Sequence, residues 1–286
     1  MSLLDQHRFH PRRFADNRFV YPVVSRRSQG VSIGVNLNPD KVCNFDCIYC
    51  QVDRRSPAET RFVELDQLMR ELDDVIQLVI SGDLYQFPQF QSVPDHLRRL
   101  NDIAFSGDGE PTTYRNFDEI ISRTAELKQR HGLSSTKLVL ITNASMFHRE
   151  VVQRGLAIMD ANQGEIWAKL DAGTPEYFQL IERTPIPFQQ ILDNILLAAK
   201  VRPLVIQSLF LRLNDVPPDE SEIDAYVQRL QDITAAGGRI SLVQVYTVAR
   251  PPAESFVSAL SNAEVDHIVS RVRNEARLPA EPFYGR

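Results

Sequence analysis

Apolar side chains from Leu65 onward fall at Leu65, Leu68, Met69, Leu72, Val75, Ile76 and Val79, which trace one continuous face of an α-helix. The spacing returns at Phe117, Ile120, Ile121 and Thr124, ahead of Gly132, which is placed to end that helix near its C-cap. Thr174 and Pro175 supply an N-cap and a first helical residue, and Phe188, Ile191, Leu192, Ile195 and Leu196 follow as the stripe of a second helix. Ile223, Tyr226, Val227, Leu230 and Ile233 come after Pro217 and Pro218 and stop before Gly237 and Gly238, and Val265, Ile268, Val269 and Val272 make the last helix. These stripes read as core faces.

Between the helices lie short segments rich in Val, Ile and Leu, at 31–37, 102–106, 137–142, 165–171, 204–211 and 239–245. Short, almost wholly apolar strands are those covered on both faces, so the alternation predicts parallel βα units. Six such units make three quarters of an eight-stranded βα barrel. Right-handed crossovers bring the strand C-termini to one end, where ligand sites gather, so the polar residues after each strand are the place to look for chemistry. The expected organisation is an N-terminal extension over 1–30 and a single barrel domain over 31–286, with an excursion near 81–100 that includes SGDLYQFPQFQSVP.

Composition narrows the picture little: 286 residues, 43% hydrophobic and 24% charged, are values of an ordinary globular chain. The net charge of -5 is uneven, with +4 over residues 1–61 and -9 over the rest. A basic N-terminal arm could contact phosphates, and neutralising Arg26, Arg27, Arg54 and Arg55 would then weaken RNA binding. No run of apolar residues is long enough to span a membrane, and MSLLDQHRFH has no apolar core of a signal peptide, so a cytoplasmic location is the expectation.

All three cysteines, Cys43, Cys47 and Cys50, lie in the run CNFDCIYC. Three in one cluster make no disulfide framework and point to metal or redox chemistry. A closed structural zinc site needs four ligands, and none of the six histidines, His7, His10, His96, His131, His148 and His267, sits at a zinc-knuckle spacing; three thiolates with a carboxylate on zinc stay open as a reading. Iron–sulfur clusters normally take four thiolates, so three on one short loop leave one iron of a cubane open to substrate or cofactor.

CNFDCIYC resembles the CxxxCxΦC signature of the radical S-adenosylmethionine (SAM) enzymes, with Tyr49 as the aromatic residue before the last cysteine. The resemblance implies an α/β fold, an open partial (βα)6 barrel. It implies a 4Fe-4S cluster on Cys43, Cys47 and Cys50 whose open iron chelates SAM, and reductive cleavage of SAM to a 5'-deoxyadenosyl radical that takes hydrogen from a substrate. Tyr49 would lie against the adenine. Gly109, Glu110 and Pro111, in FSGDGEPTTY, resemble the family's GEP motif and would meet the methionine amino group. Thr142 and Asn143 end the third strand as candidates for the methionine carboxylate or the substrate. In WAKLDAG, Lys169 and Asp171 alternate with Leu170 and share a face, either as contacts to the ribose or as an internal salt bridge. Gln207 and Gln244 are further pocket candidates, and Tyr246, Thr247 and Arg250 follow the sixth strand.

VNLNPDKVCNFDCIYCQVD, SGDGEPTTY, ITNAS, WAKLDAG and QVYTVARPP look most like the iron–sulfur oxidoreductase branch that includes the tRNA wyosine-base synthases. Those enzymes carry three further cysteines for a second cluster, which this chain does not have, so their reaction is not expected here. The substrate class stays open among RNA, a small molecule and a partner enzyme. An electron donor such as flavodoxin or ferredoxin is implied, and no membrane partner. A glycyl-radical-enzyme activase and a non-catalytic iron–sulfur redox protein remain as alternatives.

Overall fold

The computed structural model describes residues 14–25, 28–54, 56–58 and 60–285, so Arg26, Arg27 and Arg55 of the basic arm lie outside the described residues. The chain divides into two compact units, one drawn from Met1–Val42, Pro57–Ile141 and Glu150–Glu165, the other from Cys43–Ser56, Thr142–Arg149 and Ile166–Arg286.

The first unit opens with a hairpin. Strand β1 (Val20–Ser25) runs antiparallel to β2 (Gly30–Val35), with Val20 opposite Val35 and Ser25 opposite Gly30. Helix α1 (Leu65–Ser81), strand β3 (Leu100–Phe105), helix α2 (Phe117–Arg130), strand β4 (Lys137–Thr142) and helix α3 (Glu150–Asp160) follow. β3 lies parallel to β2 on one side and to β4 on the other. Every residue of β2 is buried, and Ser32, the one polar side chain in it, bonds the buried Asp102 of β3.

α1 buries Leu68, Met69, Leu72, Val75, Ile76 and Val79, and Gly82, at φ 85°, ends it in the left-handed region. It also buries Glu71, whose carboxylate accepts the amides of Arg18 (3.1 Å), Phe19 (2.8 Å) and Val20 (3.2 Å). These amides enter β1, and the carboxylate supplies partners that no strand does. Residues 81–100 fold into two short 3-10 turns, Asp83–Gln86 and Asp95–Leu97, with Leu84, Phe90 and Val93 buried; the Phe14 ring packs 5.0 Å from Phe87 and 6.2 Å from Phe90.

The second unit continues the alternation with β5 (Gly164–Lys169), α4 (Pro175–Glu182), α5 (Phe188–Val201), β6 (Leu204–Leu209), β7 (Leu211–Leu213), α6 (Glu220–Ala235), β8 (Ile240–Tyr246), β9 (Val257–Ala259), α7 (Asn262–Arg271) and β10 (Ala280–Phe283). β5, β6, β8 and β10 are successive parallel neighbours, and β7 pairs with β9 as a separate antiparallel ribbon. Thr174 caps α4 by accepting the Tyr177 amide at 3.2 Å, with Pro175 in the first turn. Asp219 caps α6 through the Glu222 amide, and Ser261 and Glu264 form a capping box on α7.

Gly173 packs against α6 so closely that a Cβ would run into the Tyr226 backbone nitrogen, while the buried Glu222 accepts from the Gly173 amide and the Thr174 hydroxyl. The chain therefore leaves β5 under the start of α6 with its polar groups satisfied.

The six predicted strands are β2, β3, β4, β5, β6 and β8, each within two residues of its expected ends. The predicted strand over 204–211 stops at Leu209, and Leu211 opens β7. Among the described residues no helix is long and apolar enough to cross a membrane.

Candidate functional site

Cys43, Cys47 and Cys50 are free thiols, each half-buried, on one loop of the second unit. Two buried side chains root the loop: Phe45 and Ile48. The Phe45 ring meets Phe178 of α4 edge-on at 5.8 Å, and Phe178 stacks on Phe188 of α5 at 4.9 Å. The last carbonyls of a helix lack intrahelical partners. Two of those on α4 take loop amides: Ile181 O accepts from Ile48 N at 2.9 Å and Glu182 O from Asp46 N at 3.0 Å. Cys50 N donates to Cys47 O at 2.9 Å, and the Thr184 hydroxyl donates to Asn44 O at 2.9 Å.

Tyr49, between the second and third cysteines, points its hydroxyl inward. Its oxygen bonds Asp171 Oδ2 and lies 2.8 Å from Glu182 Oε1. One hydroxyl proton serves one carboxyl group. Burial first, and Asp171 second, push Glu182 up to about 8 against the opposing pull of Lys169, so a proton held by Glu182 supplies the second bond. Its other oxygen, Oε2, is buried without a hydrogen-bond partner.

Lys169 Nζ lies 2.7 Å from Asp171 Oδ2, donates to the Tyr246 hydroxyl at 2.9 Å and sits 4.9 Å from the Tyr49 ring centroid. Burial works against its ammonium, but Asp171, Tyr246 and Glu182 outweigh burial and hold its pKa well above the ordinary lysine value. The alternation in WAKLDAG thus brings Lys169 and Asp171 together as a buried salt bridge. Burial, and next Asp171, push the Tyr49 phenol well above its usual range. Burial, and next Glu182, do the same to the Cys47 thiol, so a metal taking that sulfur must displace its proton.

A second polar group holds the loop at Asn44. Its amide donates to Ser145 Oγ at 2.7 Å and its carbonyl oxygen accepts from Asn143 Nδ2 at 2.9 Å, while Ser145 Oγ donates to Asn143 Oδ1 at 2.6 Å. Asn143 therefore sits beside the cysteine loop, with its carbonyl oxygen taken by Ser145. Ala144 between them is at φ 61°, and Asn194 of α5 holds the turn by donating to the Ala144 (2.8 Å) and Ser145 (2.9 Å) carbonyls.

Other candidates fall differently. Gln207 and Gln244, both buried, pair with each other at 2.8 Å across β6 and β8. Thr247 accepts the Leu260 amide at 2.8 Å, and the Arg250 carbonyl accepts from Gln51 at 3.4 Å. Arg54, counted with the basic arm, donates to Cys50 Sγ at 3.6 Å, so neutralising it would disturb the cysteine loop as well as any RNA contact.

In the first unit the buried Glu110 caps the 3-10 turn Pro111–Thr113, accepting the Thr112 amide at 3.1 Å and the Thr112 hydroxyl at 2.5 Å. Gly109 is required there, because a Cβ would collide with the Val42 carbonyl. Glu182, Thr184 and Asn194 carry no motif that marks them in the sequence. Ser145 closes the segment ITNAS, two residues beyond Asn143 at a strand end, and that position is its signal.

Among the described residues no three His, Cys, Asp or Glu side chains close to the distances of a single metal ion. A tetrahedral zinc with bonds of about 2.3 Å would draw thiolates onto one atom, whereas a cubane engages each on a different iron. The donor set suits the cluster: three soft sulfurs, half-buried on one loop.

The family model for the radical SAM superfamily matches residues 37–221. The chain is 24% identical over 250 residues to a protein named GTPase Obg of Brachyspira hyodysenteriae, covering 86% of this chain and 32% of that protein. It is 27% identical over 236 residues to a UPF0026 protein of Helicobacter pylori, covering 80% of this chain and 66% of that protein. It thus spans about a third to two thirds of the length of these curated relatives. A radical SAM methyltransferase from Sphaerobacter thermophilus shares the fold at TM-score 0.63 and 13% identity, covering 93% of this chain and 69% of that chain. TYW1 with a lysine-pyruvate adduct bound shares it at TM-score 0.52 and 14% identity, covering 86% and 73% respectively.

Proposed function

The chain belongs to the radical SAM superfamily, and on that premise we propose that Cys43, Cys47 and Cys50 hold a 4Fe-4S cluster at which SAM is reductively cleaved for hydrogen abstraction from a substrate. The observation that carries this reading is the loop itself. All the cysteine of the protein sits on it, and hydrogen bonds from α4 and from the Asn143–Ser145 turn shape it without any bond among the three sulfurs. When bound, the cluster supplies one electron to SAM, delivered to it by an external donor of flavodoxin or ferredoxin type.

The chain's own residues bind and orient. Tyr49 turns its polar end to Asp171 and Glu182, so what it offers an adenine is the ring. Lys169 and Asp171 neutralise each other at 2.7 Å, and since Asp171 is fully enclosed by Lys169, Tyr49 and the Leu209 amide, Lys169, which keeps some exposed surface, is the one to meet a ribose hydroxyl. Asn143, whose oxygen accepts from Ser145 and whose amide donates to Asn44 at 2.9 Å, stands beside the cysteine loop, where by resemblance it meets the methionine carboxylate. By resemblance Gly109, Glu110 and Pro111 meet the methionine amino group, the Glu110 carboxylate being held in one rotamer by Thr112.

The test is anaerobic reconstitution followed by dithionite and SAM, with 5'-deoxyadenosine assayed by chromatography beside Cys47→Ala. Release by the wild type and none by Cys47→Ala is expected. An intact cluster that neither binds SAM nor alters its EPR spectrum on SAM addition would leave a redox protein and remove the enzyme.

A further inference from the structure

Four consecutive residues outside every strand-end motif touch the cysteine loop. Ile181 and Glu182 take the Ile48 and Asp46 amides on their carbonyls, at 2.9 and 3.0 Å. The Glu182 side chain lies 2.8 Å from the Tyr49 hydroxyl, Arg183 Nη1 lies 4.0 Å from Asp46, and the Thr184 hydroxyl holds Asn44 O at 2.9 Å. The turn is itself fixed. Arg183 ends α4 at φ 45° and pairs with Glu254 at 2.5 Å, while the Thr184 oxygen also accepts the Ile186 amide at 3.3 Å.

We propose that this turn is a clasp that sets the shape of the cysteine loop, with Glu182 and Thr184 as positioning residues for the three thiolates. Glu182 acts through Tyr49, and Thr184 through the carbonyl of the residue after Cys43. The inference rests on the loop being the cluster site.

The clasp has an electronic side as well. The amides of Asp46, Ile48 and Cys50 all end on backbone carbonyls, and hydrogen bonds to cluster sulfurs are one of the levers on a cluster's potential. A loop that turns these three amides away from the sulfurs withholds bonds that would add to the one Arg54 gives Cys50 Sγ at 3.6 Å, and so holds the potential below that of a loop with its amides on the sulfurs.

The experiment compares wild type, Glu182→Ala, Glu182→Gln and Thr184→Val as full-length chains. Iron release to a chelator and the EPR-monitored reduction potential are read on the reconstituted proteins, and amide hydrogen exchange over residues 43–50 on the apoproteins. Glu182→Ala and Thr184→Val are expected to release iron about tenfold faster, the usual cost of losing an outer-shell partner. They are also expected to exchange the Asp46 and Ile48 amides faster and to shift the potential upward, while Glu182→Gln, which still offers Tyr49 a partner, stays near wild type.

Wild-type release and exchange in both Glu182→Ala and Thr184→Val would overturn the clasp, as would a Glu182→Gln as damaged as Glu182→Ala. Faster release at an unchanged potential would overturn its electronic side. If Glu182→Ala does not fold, Thr184→Val, close to isosteric, decides alone. A wild type that takes up no cluster overturns the site reading separately, and exchange in the apoproteins still decides whether the turn holds the loop.

Discussion

Asp171 has no exposed side-chain surface, and three groups share its oxygens: Lys169 Nζ at 2.7 Å, the Tyr49 hydroxyl, and the Leu209 amide at 2.8 Å. Such a pair adds little over an apolar one of the same shape, yet removing one partner strands a buried charge. Lys169→Met is therefore expected to cost about 3 to 5 kcal/mol, and Lys169→Met with Asp171→Leu clearly less, both read from urea midpoints. Asp102 gives a second test, away from the cysteines. It is buried, accepts a hydrogen bond from Ser32, and its pKa is raised chiefly by burial. A carboxyl with a raised folded-state pKa binds its proton more readily folded than unfolded. Its contribution is complete below the unfolded value and is lost as pH rises through the folded one. Asp102→Asn is expected to abolish that falling limb, which opens near the ordinary aspartate value of 3.8; denaturant midpoints across acidic pH would show it, and a limb that persists in the variant would assign it elsewhere.

Helices and strands were legible in proportion to how far one period ran unbroken. α1 shows a stripe of seven and is plain, whereas α3 is hard to see although its buried residues, Val152, Gly155, Leu156 and Met159, keep helical spacing. The glycine hides the pattern: it marks no apolar position in the sequence, yet it is where α3 meets the Phe117 ring, 2.6 Å from where a Cβ would stand. Propensity alone would make Gly155→Ala a gain of about 1 kcal/mol, but overpacking costs typically 1 to 3 kcal/mol. A net loss is expected in thermal unfolding, with Gly155→Ala combined with Phe117→Leu recovering part of it. β1 is hard to see in the sequence because VYPVVS carries a proline, and the device that anchors it, Glu71 on α1, is a carboxylate at the border of the apolar stripe, a residue type that a sequence offers first as solvated. The ribbon of β7 and β9 has three-residue strands, too short for any period to register.

Across the whole molecule, the candidate site was legible where it is contiguous. CNFDCIYC needs no fold to be noticed, and the period of two in WAKLDAG correctly put Lys169 and Asp171 on one face. Its supports were not, because Tyr49 meets Glu182 across 133 residues of chain and Asn44 meets Ser145 across 101. The loop is hydrogen-bonded to Ile181, Glu182, Thr184 and Ser145 and buries Phe45 and Ile48. Stripping iron is therefore expected to leave far-UV circular dichroism and a cooperative melt in place, unlike domains whose metal supplies the folding energy. Collapse on chelation would show that the cluster is structural. β10 is the outermost strand of its array and contains Pro282, which has no amide to donate. An edge with a gap in its row of donors is a poor template for another chain, so this proline guards the preparation against strand-by-strand association, and Pro282→Val is expected to scatter more light at high concentration while folding as before.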